Sequence, residues 1–290
     1  MAEVIEKHGM GWLPDYPDFR DYTPEHKIIA PILKITKVTE PAKIPGSIDL
    51  KEWCSPIENQ GSLGSCTAHA GAGLVEYFEK RVFHRYIDAS RRFLYKVTRN
   101  IMHVTGDTGA FLRTTMGAMV LFGVPPEEYW PYKIADFDVE PPSFCYAFAQ
   151  NYQTIRYFRL DPAGTPRELL LNRIKTYLAA GIPAMFGFAV YNSISQAATT
   201  GKIPFPTTGE AHLGGHAIDA VGFDDTMTIK NTNPGGEETT GAFIIRNSWG
   251  TGWGDAGYGW LPYKYVLSGL AVDWWVLVKN EWINTEIFRA

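Results

Sequence analysis

Two hydrophobic rhythms divide the chain. From Ser65 to about Phe83, small and apolar residues recur at helical spacing through Ala68, Ala72, Val75 and Phe78. Gly71 and Gly73 in that stretch permit a neighbouring element to come close, and Ser65 is placed to cap the first free N–H groups. A second helix is expected after Asp88, over ASRRFLYKVTRN, and a third after Thr108, ending near Gly123. Thr165-Pro166-Arg167-Glu168 reads as a capping box with proline at the first helical position, opening a helix that stops at Gly181. Beyond it the rhythm changes. PAMFGFAVY, HAIDAVGFD and GAFIIRNSW are apolar or aromatic runs bounded by glycine and proline, as strands are, and DWWVLV is a last candidate. A helical half over roughly 54–160 and a β-rich half over roughly 161–290 predict an α+β fold of two packed subdomains.

Residues 1–43 follow neither rhythm. GWLPDYPDFRDYTPEH is rich in proline, aspartate and aromatics, which suits an extended segment lying on a surface. Two roles fit that composition. One is an irregular arm packed on the body; the other is a propeptide-like cover of a cleft, an intramolecular inhibitor anchored by Tyr16, Phe19 and Tyr22.

Composition narrows the function classes. With 27 Lys plus Arg against 31 Asp plus Glu, the formal charge is -4, so the basic excess of a nucleic-acid-binding domain is missing. The longest apolar runs fall well short of the roughly 18 residues of a membrane span. The first residues carry charges where a secretory signal needs an apolar core. Three cysteines, Cys54, Cys66 and Cys145, make no disulfide framework, although Cys54 and Cys145 could still pair. A reducing, cytoplasmic setting is expected. The cysteines and histidines form no tetrahedral ligand set, so neither a metal nor another cofactor is expected.

The chemistry gathers around Cys66 in QGSLGSCTAHA. Gly61 and Gly64 allow a tight turn just before the helix, so the thiol sits in the first turn, where free N–H groups favour a thiolate. The Cys66 N–H and the Gln60 amide, six residues upstream, can hold an oxyanion. A lone cysteine is ordinarily a core residue; the turn, helix start and glutamine together favour a nucleophile. His216, after two glycines in HLGGHAIDAVGF, would present its ring from a loop-to-strand junction, although by itself it reads as the start of a buried strand. Asn247 in IIRNSWGTGWG can hold one imidazole nitrogen and leave the other for the thiol, supporting a thiolate–imidazolium pair. Trp249 and Trp253 would shield that hydrogen bond from water. His69, three residues after Cys66, projects alongside it and reads as structural. Glu210 and His212 suit the rim of a cleft.

In NQGSLGSC, GGHAIDAVGF and IIRNSWGTGWG, in that order, the chain resembles the papain family of cysteine peptidases from about Ile44 to its end. The resemblance implies a helical half and a barrel-like half with the active site between them. It also implies Cys66 as nucleophile, His216 as base, Asn247 as orienting residue and Gln60 in the oxyanion hole. IPGSIDL, from Ile44, resembles a mature N-terminus, making 1–43 a propeptide-like extension and 44–290 the peptidase domain. DTGAFL resembles the segment that pairs with bound peptide, with main-chain contacts from Gly109 and Ala110. Phe111, Leu112, Gly187 and Ala217 are implied around the pocket for the second residue before the cut, and Gly64, Ser65 and Trp249 elsewhere along the cleft.

The departures are local. Leu63 stands where the family usually has a cysteine, and Thr67 where it has a large aromatic. Asn247 follows His216 by 31 residues, a longer interval than usual, which TIKNTNPGGEETT explains as an enlarged hairpin. The pattern resembles the bacterial and archaeal branches. Peptide-bond hydrolysis, as an endopeptidase made as a zymogen, is the expected activity, with peptides or proteins as partners. A non-catalytic peptide-binding member of the fold is the rival from another class. An aminopeptidase or an amine-accepting transferase would use the same acyl-enzyme.

Overall fold

The computed structural model describes residues 8–34, 44–152 and 156–279. In chain order the elements are β1 (Trp12–Leu13), α1 (Ala30–Leu33), β2 (Ser47–Asp49), α2 (Cys66–Phe83) and α3 (Arg91–Ile101). There follow β3 (Ala110–Phe111), α4 (Leu112–Phe122), α5 (Ser143–Ala149), β4 (Arg156–Arg159) and α6 (Arg167–Ala179). The rest are β5 (Ala184–Tyr191), β6 (His212–Lys230), β7 (Glu238–Arg246), β8 (Tyr258–Pro262), α7 (Tyr263–Leu267) and β9 (Ala271–Val278). The fold is α+β. Helices α2 to α5 make one side, and β4-β9-β5-β6-β7-β8 form an antiparallel sheet on the other, with β2 added against β6.

β5, β6, β7 and β9 are built from the four apolar runs of the sequence, whereas β2, β4 and β8 come from stretches without such a run. β6 and β7 form the enlarged hairpin, paired as far as Lys230 with Glu238, so the insertion lengthens a ladder rather than disturbing the cleft. The helix starts depart from expectation. Ser65 does not cap α2; its hydroxyl bonds to Tyr132 Oη at 2.6 Å instead. No capping box opens α6: Pro166 is the cap residue, and Thr165 turns back to donate to the Pro162 carbonyl at 2.7 Å. A hydroxyl serves whichever acceptor the surrounding fold brings nearest. The helix after Thr108 begins only at Leu112, because Ala110 and Phe111 are drawn into pairing with β1. Cys54 and Cys145 are free and buried, each with a weak thiol contact to a carbonyl, Leu50 or Tyr129. They are not bridged.

The seam between the halves runs along α2. Glu76, buried on that helix, takes both oxygens to Arg91 of α3, at 2.8 and 3.0 Å, and accepts from Ser55 Oγ at 2.5 Å. Ser55 in turn accepts from Arg246 of β7 at 2.9 Å. Buried charges are tolerated only when paired and hydrogen-bonded; Glu76 and Arg91 meet that condition, and through Ser55 the network ties three elements together. Gly73 lies over it: a Cβ there would overlap Arg246 Nη1 and come within 2.9 Å of Asp219 Oδ2.

Gly71 differs from Gly73 because its neighbours are methyl ends of Met119, Thr115 and Leu94, at 3.2 to 3.4 Å from an added Cβ. Gly71→Ala should therefore be close to neutral, with about 1 kcal/mol of helix propensity offsetting the tighter fit. Gly73→Ala should destabilise by about 1–3 kcal/mol. Urea unfolding of both variants checks this, and equal effects would contradict the seam described above.

Candidate active site

The first turn of α2 carries Cys66, and β6 and β7 carry its partners. His216 pairs with Phe188 across the sheet, and its Nε2 shares a hydrogen bond with Asn247 Oδ1 at 2.8 Å. Asn247 follows the last residue of β7, and its Oδ1 also accepts from the Ser248 N–H at 2.8 Å. The indole of Trp249 stacks on His216 with 4.6 Å between ring centroids, and Trp253 packs edge-on to Trp249. The imidazole–amide bond is thus roofed by aromatics, as the Trp- and Gly-rich run suggested.

Gln60 is fixed by the same loop. Its Oε1 accepts from Ser248 Oγ at 2.5 Å, and its N–H donates to the Ser248 carbonyl at 2.9 Å. The amide nitrogen therefore faces the cleft, where it donates to Gly9 O at 2.9 Å and Leu63 O at 2.8 Å. Cys66 lies against the N–H groups of Ala217, Gly11, Thr67 and its own residue. Ala217 follows His216, so Cys66, His216, Asn247 and Gln60 are brought together from three separate stretches of chain.

The cleft is occupied by residues 8–13. His8 stacks on the outer face of Trp249 at 4.7 Å. Gly9 places its carbonyl on the Gln60 amide and donates to Gly61 O at 3.0 Å. Gly11 accepts from the Ala110 N–H at 2.8 Å, and β1 then runs parallel to β3. Gly11 is needed here, since a Cβ on it would overlap the Gly64 backbone. Trp12 enters a pocket between Gly187 and Gly215, where any side chain would overlap its indole. At the pocket floor its Nε1 donates to Asp273 Oδ2 at 3.1 Å. Beside the segment, a cleft of about 1690 Å³ remains open, lined by Met10, Asn59, Leu213, Trp249 and Gly250 among others.

Gly64, Gly109, Ala110 and Gly187 contact the segment or its backbone, Ala217 touches the thiol, and Trp249 roofs His216. Phe111 pairs with Leu13, whereas Leu112 begins α4 and is buried in the core. Ser65 is a correction: its side chain is fully buried and turned to Tyr132 and His69, away from the cleft. The segment's aromatic anchors are another. Tyr16 and Phe19 are 87% and 97% exposed, and Tyr22 is also exposed; Trp12, 7% exposed, is the residue that anchors. Glu210 ties together the N–H groups of Ser193 and Thr207 and the amides of Asn231 and Asn233. His212 lies exposed, edge-on to Tyr191.

The sequence reading passed over Ser248, Asp107 and Asp273. Asp107 accepts from the Gly64 N–H at 2.9 Å and the Tyr95 hydroxyl at 2.5 Å, and so shapes the turn before Cys66. Asp273 offered one signal: an acid inside the apolar run DWWVLV. His69 is buried, its Nδ1 3.1 Å from Ser65 O, and burial pushes it down to about 3, which agrees with a structural role.

A thiol, an imidazole held by an amide, and a glutamine amide in a cleft between a helical half and a sheet define a papain-like cysteine peptidase architecture. The chain belongs to that family: residues 44–271 match the model described as papain family cysteine protease. An uncharacterized peptidase C1-like protein of Acanthamoeba polyphaga mimivirus is 35% identical, over 92% of this chain and 86% of its own length. Peptidase 1 of the mite Psoroptes ovis is 26% identical, over 78% of this chain but 63% of its own length. Among solved structures, xylellain, a cysteine protease from Xylella fastidiosa, superposes with a TM-score of 0.74 at 32% identity, covering 94% of this chain and 97% of its own. Digestive procathepsin L 3 of Tenebrio molitor shares the fold, with a TM-score of 0.61 at 18% identity, covering 85% of this chain and 73% of its own.

With the segment in place the electrostatics oppose an ion pair. Burial pushes the Cys66 thiol up to about 11, outweighing the four N–H groups around it. Burial likewise pushes His216 down to about 4, although Asn247 holds it up. Between these values the thiol keeps its proton and the imidazole is neutral. In the full chain the thiolate absorbance of Cys66, read against Cys66→Ala, should thus be missing at neutral pH and grow in only as pH approaches about 11. Thiolate absorbance already present across the mildly acidic and neutral range would mean that an ion pair exists beneath the segment.

Proposed function

We propose that the chain hydrolyses peptide bonds through Cys66 and that residues 8–13 hold it in a closed precursor form. The observation that carries both halves of this reading is the Gly9 carbonyl on the Gln60 amide. A carbonyl there occupies the site where a scissile carbonyl would be polarised, beside a thiol with a histidine and asparagine behind it. Once the segment withdraws, water returns to the cleft, the desolvation that separates the two titrations falls, and proton transfer from Cys66 to His216 becomes favourable.

In the open form the thiolate attacks the carbonyl carbon, and the C–S bond forms as the carbonyl oxygen takes the negative charge. The Cys66 N–H and the Gln60 amide stabilise that oxygen. Collapse breaks the C–N bond, and His216 gives its proton to the leaving amine. The imidazole then takes a proton from water as the water oxygen attacks the thioester. Collapse of this second intermediate frees the acid, and the thiolate is restored. Asn247 keeps the imidazole oriented throughout.

The segment covers the thiol by its main chain, lying parallel to β3 through Trp12 and Leu13. Procathepsins with a similar fold make a precursor role for residues before Ile44 a natural reading. The join to Ile44, residues 35–43, lies outside the described residues.

Cys66→Ala should fold normally and lose essentially all hydrolysis of a fluorogenic peptide. Trp12→Ala in the full chain should raise that hydrolysis at least about tenfold, since a buried tryptophan is worth several kcal/mol to the closed form. Retained turnover in Cys66→Ala would sink the nucleophile. No gain in a folded Trp12→Ala protein would sink the precursor role. Failure of Cys66 to react with a peptidyl epoxide in the Trp12→Ala protein would favour a peptide-binding module instead.

A further inference from the structure

Beyond Trp12, the segment continues to Asp21 and is held there by charge. Arg113, in the first turn of α4, donates from Nε to Asp21 Oδ1 at 2.7 Å and from Nη2 to Asp21 Oδ2 at 2.8 Å. It also donates to the Tyr16 carbonyl at 2.7 Å and pairs with Asp15. Among the described residues, every hydrogen bond of this guanidinium runs to the segment. Arg159 of β4 lies beside it, donating to the Asp15 carbonyl at 3.0 Å, with Asp21 at 3.8 Å. Its remaining partners belong to the body: Asp161 at 3.0 Å and Asp273 at 3.1 Å. The ring of Trp275 lies 5.6 Å from the Arg113 guanidinium and 5.3 Å from that of Arg159, so the two cations share one aromatic ring.

These positions follow from the path of the chain. Trp12 fills the pocket, Leu13 pairs with Phe111, and Asp15 reaches Arg113, two residues after that strand. The cationic site therefore lies along the same groove, on the side of the pocket away from Cys66. When the segment leaves, Asp15 and Asp21 leave with it. Arg159 keeps two carboxylates, but Arg113 is left beside the groove without a hydrogen-bonding anion. An unpaired guanidinium at that place is complementary to a carboxylate, which it can bind through two N–H groups at once.

We propose that Arg113, with Arg159 beside it, is a specificity-determining site for an acidic residue of the peptide substrate, about three positions from the residue that fills the Trp12 pocket. The inhibitory segment occupies it in cis with Asp15 and Asp21. Arg159 reads the main-chain carbonyl, which any peptide supplies, and Arg113 reads the side chain. This inference rests on the reading that Cys66 is the nucleophile and that the segment withdraws.

The test uses the full chain and two peptidyl epoxides, alike except for Glu or Gln two to four residues from the pocket residue, on the side away from the warhead. The quantity read is the ratio of their rates of labelling Cys66. Both probes need the same opening of the segment, so the ratio does not depend on how often it opens. In the parent chain the Glu probe should react about tenfold faster, as suits a bidentate pair that stays partly wet. In Arg113→Gln both rates should rise as the segment loosens, and the ratio should fall to about one. Arg113→Glu should reverse the preference toward a Lys-bearing probe. A ratio near one in the parent chain, or a preference that survives Arg113→Gln, would overturn the proposal while leaving Cys66 as nucleophile. No labelling by either probe, even with Trp12→Ala, would overturn the nucleophile and this inference with it.

Discussion

Helix α2 meets β6 and β7 at Gly73, with the Arg246 guanidinium and the Asp219 carboxyl directly beneath. The absence of a side chain there lets helix α2, which begins at Cys66, sit close against the strand that carries His216. Burial raises the Asp219 carboxyl far above its ordinary range despite the pull of Arg246. Glu76, Ser55 and Arg91 complete the network that fixes Arg246 in place. A seam of hydrogen-bonded polar groups is more directional than an apolar one. It sets the register of helix against sheet, and hence of thiol against imidazole.

Across that seam the reactive groups are governed by what covers them. The segment contributes little apolar surface apart from Trp12, yet it removes the water that would stabilise a thiolate and an imidazolium. Its main chain, through Gly9 and Gly11, meets the Gln60 amide, the Ala110 N–H and the thiol. The site is thus complete in its groups and silent in its charges. The same atoms that would recognise a substrate are engaged with residues 8–13 of the chain itself. That economy also explains Asp273, which burial pushes up to about 7 even with Arg159, Trp12 and Trp275 around it. Its carboxyl makes the floor of the pocket polar, and the Trp12 indole meets it with its one N–H.

Much of this was legible in the residues. Helical spacing after Ser65 and the apolar runs after Gly181 announced the two halves, and the turn glycines, Gln60, His216 and Asn247 pointed to the chemistry. Capping was misread at Ser65 and Thr165, because a hydroxyl's choice of partner depends on Tyr132 and Pro162, whose positions no local pattern reveals. The anchors of the segment were misread for a related reason. Tyr16 and Phe19 have the same hydrophobic character as Trp12, and only the shape of the groove decides which of them is buried.

The sequence by itself determined the local periodicities, the tight turn before Cys66 and the identity of the reactive side chains, since these depend on neighbours a few residues away. Tertiary structure alone decided that residues 8–13 lie in the cleft, that Trp12 finds a pocket made by the missing side chains of Gly187 and Gly215, and that Asp15 and Asp21 meet Arg113. Those contacts join residues about a hundred or more positions apart. They exist because burial and charge pairing are satisfied in space, where sequence order has no say.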